Sequence, residues 1–139
     1  MKSREPVSKI MSSDVISLNL NDSLYDAERL FKENKIRHIP VVKNNDLIGI
    51  LSLSDLLRIS FVEAFGPNEG VVDSTIYSML DIEQVMAKNP VYVSSNESVK
   101  DVAQILSENK FHALPIVDNH VLKGIVTTTD LLKYLLEQY

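Results

Sequence analysis

Hydrophobic and polar positions along this chain change period in a fixed order, and the order runs through twice. Val15-Ile16-Ser17-Leu18 predicts a short extended piece, and Val91-Tyr92-Val93 its second occurrence. Leu24, Ala27, Leu30 and Phe31 then recur at helical spacing, as do Val99, Val102, Ile105 and Leu106, which predicts an amphipathic helix in each half. Asn21-Asp22-Ser23 and Asn96-Glu97-Ser98 supply polar caps ahead of those helices. A strand follows through Ile39-Pro40-Val41-Val42 or Leu114-Pro115-Ile116-Val117. The polar turns Lys43-Asn44-Asn45-Asp46 and Asp118-Asn119-His120 lead back into Leu47–Leu51 and Leu122–Val126. A second helix is expected to start near Asp55 or Asp130, so the order is β-α-β-β-α, twice.

The two halves superpose as sequence without a gap. A shift of 75 positions carries Met11 onto Met86, Pro40 onto Pro115, Gly49 onto Gly124 and Asp55 onto Asp130. Sixteen of the forty-eight positions from 11 to 58 are identical after that shift. Unrelated segments of average composition match at roughly three. The expected organisation is therefore one repeat over 7–60, a linker over 61–81 and a second repeat over 82–139. A copy of about fifty residues buries too little surface to stand alone, so the two are expected to pack face to face. Within the linker, Gly66–Gly70 reads as a turn and Val71–Leu80 as an extra helix weakened by β-branched residues. The linker's aromatic residues either cover the module's own core or form a surface for a partner.

Composition narrows the function. The 139 residues carry 14 basic and 19 acidic side chains, a net charge of −5 with no basic cluster, which disfavours nucleic acid. No apolar run is long enough to span a membrane, and no secretory pattern opens the chain. The absence of cysteine excludes disulfides and thiolate chemistry and permits a reducing compartment, so a cytoplasmic location is expected. His38, His112 and His120 have no metal-ligand spacing, so no metal site is expected. Four glycines form neither a P-loop nor a dinucleotide fingerprint, and no catalytic constellation is evident.

The candidate chemistry lies where the last strand of each copy meets its second helix. Gly49-Ile50-Leu51-Ser52-Leu53-Ser54-Asp55 and Gly124-Ile125-Val126-Thr127-Thr128-Thr129-Asp130, each preceded by an apolar-Pro-apolar strand, resemble the signature of the cystathionine-β-synthase-type (CBS) domain. The likeness covers about residues 7–60 and 82–139. It implies an α/β (α+β) fold of two pseudo-symmetric β-α-β-β-α repeats packed into one CBS-pair, or Bateman-type, module. A hydroxyl followed three residues later by a carboxylate at a helix start puts both side chains in the first turn. There the hydroxyl meets backbone N–H groups or a ligand, and the carboxylate can accept two hydrogen bonds from a vicinal diol such as ribose. The helix N-terminus suits a phosphate. The same Ser/Thr-x-x-Asp spacing also describes a capping box that merely starts a helix.

The resemblance implies site roles residue by residue. Asp55 and Asp130 would hold ribose, with Ser52 and Thr127 beside ribose or phosphate and Ser54 and Thr129 as further ligand-binding residues. Apolar side chains and backbone of Ile16, Ile39 and Pro40, and of Val91, Leu114 and Pro115, would hold adenine, while on the less even phosphate side Ala113 stands where the first copy has His38. Arg37 or His38 either clamps phosphate or is a solvated neighbour of the strand, and Lys9 and Lys123 are further cations with no assigned place. The leading expectation is a non-enzymatic, energy-sensing module that binds AMP, ADP, ATP or S-adenosylmethionine between the repeats. It would need no resident cofactor, although Mg²⁺ could accompany ATP, and it would signal to a regulated partner protein. Leu56, Leu57, Leu131, Leu132, Leu135 and Leu136 offer an adhesive face, from which a homodimer is expected. The competing expectation is a ligand-free dimerisation or protein-interaction module.

Overall fold

The computed structural model describes residues 4–64 and 74–139. In chain order the elements are β1 (Leu18–Asn19), α1 (Leu24–Asn34), β2 (His38–Lys43), β3 (Asp46–Ser52), α2 (Leu53–Ala64), α3 (Ser74–Met79), α4 (Ile82–Val85), β4 (Ala87–Lys88), α5 (Val99–Glu108), β5 (Ala113–Asp118), β6 (Val121–Thr127) and α6 (Thr128–Glu137). A short 3-10 turn, Val7–Lys9, precedes them. The twofold β-α-β-β-α order is present, with the first extended piece much reduced. Only Leu18 and Asn19 form β1, and its counterpart is a single bridge at Val93. The second helices begin two residues before Asp55 and Asp130, placing both carboxylates in the first turn.

Local chemistry explains where the elements start and turn. Ser23 and Asp26 cap α1 reciprocally: the Asp26 amide donates to Ser23 Oγ at 3.1 Å, and the Ser23 amide to Asp26 Oδ2 at 2.9 Å. Those bonds hold the Asp26 carboxyl below the usual carboxylate range. Ser98 caps α5 by accepting from the Asp101 amide at 3.0 Å. The turns Asn44-Asn45 (φ 51° and 72°) and Asn119-His120 (φ 50° and 67°) lie in the left-handed region that two-residue hairpin turns require. Asn tolerates that region better than most residues, and His is also enriched there.

The chain divides into two compact units, and neither is contiguous in sequence. One, here the Asp55 unit, comprises Ile16–Asn44 and Ile48–Asn89. The other, the Asp130 unit, comprises the segment ending at Val15 together with Asn45–Leu47 and Pro90–Tyr139. The sheet of the Asp55 unit runs β1-β2-β3-β4, with β1 parallel to β2 (Leu18 opposite Val41) and β4 antiparallel to β3 (Ala87 opposite Ile50). The Asp130 unit repeats this arrangement. Val93 bridges Ile116 in parallel beside the β5–β6 hairpin, and Ser12 bridges Ile125 antiparallel on its far side. A shift of 75 converts one set of pairings into the other.

The outer edge of each unit is thus built by the leading segment of the other repeat. Val7 and Ile82 are equivalent after the shift, and both are completely buried. Ile82 lies in a core with Leu18, Leu24, Phe31, Ile39, Leu51 and Leu56, whereas Val7 lies with Val102, Leu114, Ile116 and Val126. The exchange explains the two signature glycines. A Cβ on Gly49 would collide with Met86 Sδ and sit 2.9 Å from the Ala87 carbonyl oxygen. A Cβ on Gly124 would sit 2.7 Å from Met11 Sδ and 2.9 Å from the Ser12 carbonyl oxygen. Glycine at these positions lets the exchanged strand approach.

Of the linker, residues 65–73 lie outside the described residues, among them the expected turn Gly66–Gly70 and the start of the expected helix; of Val71–Leu80, Ser74–Met79 form α3. Its Tyr77 covers the module's own core. The ring is buried, meets Tyr25 edge-on at 5.2 Å, and its hydroxyl donates to Glu28 Oε2 at 2.8 Å. In the Asp130 unit the Ser95 hydroxyl (2.6 Å) and amide (3.0 Å) both donate to Asp118, tying the approach to α5 onto the end of β5. These bonds keep the Asp118 carboxyl below its usual range.

Candidate functional site

Each unit carries its own copy of the strand-to-helix joint. In the Asp55 unit the Ser52 amide donates to Asp55 Oδ2 at 3.1 Å and the Asp55 amide returns a bond to Ser52 Oγ at 3.0 Å. In the Asp130 unit the Thr127 amide (2.8 Å) and hydroxyl (3.1 Å) both donate to Asp130 Oδ2, and the Asp130 amide donates to Thr127 Oγ1 at 3.3 Å. Both motifs are therefore capping boxes, and the carboxylates are held in place by the helices they start. Holding a carboxylate does not exhaust it, because two oxygens offer about four acceptor positions.

A second contact ties the Pro-containing strand to the same joint. The first amide of α2, at Leu53, donates to the Arg37 carbonyl at 2.8 Å, and that of α6, at Thr128, to the His112 carbonyl at 2.9 Å. The residues from Arg37 to Pro40 are thereby brought beside Ser52–Asp55, and those from His112 to Pro115 beside Thr127–Asp130. The same contacts reduce what a phosphate could use. Of the first three helical amides, the first meets a carbonyl and the third meets the capping hydroxyl. The amides of Ser54 and Thr129, between them, have no partner among the described residues. Both residues are exposed, so each joint presents one unspent backbone donor close to a carboxylate.

The other expected site residues divide by burial. Ile39 and Leu114 are completely buried members of the two cores, so what they can offer a ligand is backbone. Ala113, Pro40 and Pro115 are buried as well. Ile16 packs partly against the core of its unit, whereas its equivalent Val91 is exposed. Arg37 is exposed and His38 half-buried. Lys9 pairs with Glu5 at 2.8 Å, and that hydrogen bond raises its pKa. Among the described residues no three histidines or carboxylates gather as a metal site.

One residue absent from the sequence-based candidates, Arg58, touches the first joint. Arg58 Nη2 lies 3.0 Å from Asp55 Oδ1, so Asp55 has a partner on each of its oxygens. A basic residue three positions after a first-turn carboxylate was the available signal. Its counterpart, Lys133, makes no such pair, and Asp130 Oδ1 has no partner among the described residues.

Comparison with known proteins gives the family. The model of the CBS domain matches residues 7–61 and 82–137. Protein MJ1225 of Methanocaldococcus jannaschii has a similar solved structure (TM-score 0.80, 26% identity), covering 97% of this chain and 49% of that one. CBSX2, solved in complex with AMP, is similar at a TM-score of 0.79 and 26% identity over 96% of this chain and 98% of that one. Inosine-5′-monophosphate dehydrogenase of Staphylococcus epidermidis is 32% identical over 127 residues, which are 88% of this chain and 23% of the dehydrogenase. The chain therefore spans about half of one curated relative and about a quarter of another. No helix among the described residues is long and apolar enough to cross a membrane.

Proposed function

Because the chain belongs to the CBS-domain family, we propose that it is a regulatory module that binds an adenosine-containing ligand (AMP, ADP, ATP or S-adenosylmethionine) and reports its occupancy to a partner protein. The observation that carries this reading is the duplicated joint, in which a fixed carboxylate stands one residue from an unspent helix amide. Asp55 and Asp130 accept from the ribose hydroxyls, and the Ser54 and Thr129 amides face the phosphate. The backbone of the Pro-containing strands, with Ile16 and Val91, contacts adenine. Arg37 and His38, at the start of the Pro-containing strand beside the first joint, lie on the phosphate side. The AMP complex of CBSX2, matched over nearly all of both chains, supports the ligand class. The reading includes no catalytic step, and Mg²⁺ accompanies the ligand only if that ligand is ATP. Occupancy becomes a signal when the ligand binds two arrangements of the module with different affinity.

A thermal-shift panel tests the ligand. For micromolar affinity, ligand at one hundred times Kd stabilises the folded chain by about 2.7 kcal/mol. In a protein of this size that raises Tm by roughly 5–10 °C. An unmoved Tm with all four ligands at millimolar concentration counts against the reading. The competing account, a ligand-free assembly module, draws on the capping boxes, since a helix cap alone explains both carboxylates. It predicts that unmoved Tm.

The same proposal includes assembly. Leu56 is buried in the core and Leu131 packs partly against one, but Leu57, Leu132, Leu135 and Leu136 are exposed. Three of these lie on α6, an apolar face suited to a second copy of the chain. Light scattering at tens of micromolar is expected to give twice the 15.7 kDa chain mass, and a monomeric mass contradicts the assignment.

A further inference from the structure

The two joints are alike in sequence and unlike in electrostatics. Asp55 Oδ2 accepts from the Ser52 amide and Oδ1 from Arg58, so a ribose arriving at Asp55 meets a carboxylate already engaged on both oxygens. At Asp130 the Thr127 amide and hydroxyl converge on Oδ2, leaving Oδ1 open. The residue that makes the difference is the one three positions on, Arg58 in one copy and Lys133 in the other. Arginine presents a planar fork of donors that fits a carboxylate, whereas the lysine ammonium is a single, strongly hydrated charge on a flexible stem.

We propose that Arg58 sets the order in which the two half-sites fill: it weakens the Asp55 half-site by competing with ribose for Oδ1, and the Asp130 half-site binds first. This rests on the nucleotide reading given above and adds to it an inequality that the duplicated motif conceals. The size of the effect follows from exposure. The Arg58 side chain is 70% exposed, so its pair with Asp55 is a solvent-screened one. Displacing such a pair costs about two- to fivefold in affinity, enough to rank the half-sites without closing the weaker one.

Calorimetric titration of AMP into the full chain tests this with single half-sites reporting. In an Asp130→Asn background the remaining binding reports Asp55, and adding Arg58→Met is expected to tighten it about two- to fivefold with Tm unchanged. In an Asp55→Asn background the remaining binding reports Asp130, and adding Lys133→Arg is expected to weaken it by a similar factor. Binding that is unchanged or weakened by Arg58→Met, as it would be if Arg58 contacted the phosphate, overturns the inference and leaves the nucleotide reading standing. Wild-type chain that takes up none of AMP, ADP, ATP and S-adenosylmethionine, while its circular dichroism shows it folded, overturns both.

Discussion

Changing Asp55 and Asp130 together to Asn is expected to lower affinity for an adenosine ligand ten- to a hundredfold at each half-site while leaving the fold nearly intact. Asn keeps the volume and one acceptor oxygen, so it can still receive the Ser52 or Thr127 amide that the carboxylate receives at 3.1 or 2.8 Å. It loses the charge and the second acceptor, which are what a ribose diol requires. A hydrogen bond to a charged group contributes about 1.5–3 kcal/mol, and that range corresponds to the predicted loss of affinity. The helix starts lose a favourable charge at the dipole's positive end, a loss of roughly 0.3–1 kcal/mol each. Binding should thus fall far more than stability. A double variant that binds as wild type does, with Tm lowered by a few degrees, would identify these carboxylates as helix caps alone.

Ile82→Ala is expected to destabilise the chain by about 2–5 kcal/mol, the usual cost of truncating a fully buried isoleucine. Ile82 is completely buried in the core that contains Leu18, Leu24, Phe31, Ile39, Leu51 and Leu56. A fall in Tm on the order of 10 °C follows for a domain of this size. The place of the damage is the more telling result. Ile82 opens the second sequence repeat, yet its side chain belongs to the Asp55 unit. Hydrogen exchange is therefore expected to accelerate most in α1, β2 and β3, and less in α5, β5 and β6. The reverse distribution would mean that each repeat folds around its own leading segment, contrary to the exchange described above.

That exchange marks the boundary of what the sequence could tell. The internal repeat was legible because sixteen side chains coincide at one shift, and the helices and hairpins followed from caps, period and turn residues. Identity between Met11 and Met86, or between Gly49 and Gly124, establishes that positions are equivalent. It does not say in which copy each one packs. Met86 over Gly49 and Met11 over Gly124 satisfy the same pattern as the uncrossed pairs would. Val15-Ile16-Ser17-Leu18 reads as one extended piece because three of its four side chains are apolar, two of them β-branched, while strand pairing begins only at Leu18. Tyr77 gave no sign of which surface it would cover until Glu28 and Tyr25, about fifty residues earlier, were placed beside it.

Legibility at the site followed the same line. The joint itself was readable, since Ser/Thr and Asp at that spacing belong in one helical turn. Whether Ile39 and Leu114 face a ligand or a core was not readable, because both environments select apolar side chains; burial gives the core. Arg58 escaped notice because Arg and Lys look equivalent in a repeat alignment. The distinction between them is geometric, and it appears only when the guanidinium lies 3.0 Å from Asp55 Oδ1.

The central claim is that a folded chain with these two joints takes up an adenosine-containing ligand. Isothermal titration of the wild-type chain with AMP, ADP, ATP and S-adenosylmethionine measures that most directly. At least one of the four is expected to bind with a Kd near the micromolar range, a free energy of about −8 kcal/mol, and no more than two molecules per chain. No heat from any of them up to millimolar concentration, with the chain folded, would contradict the account and leave the joints as helix caps.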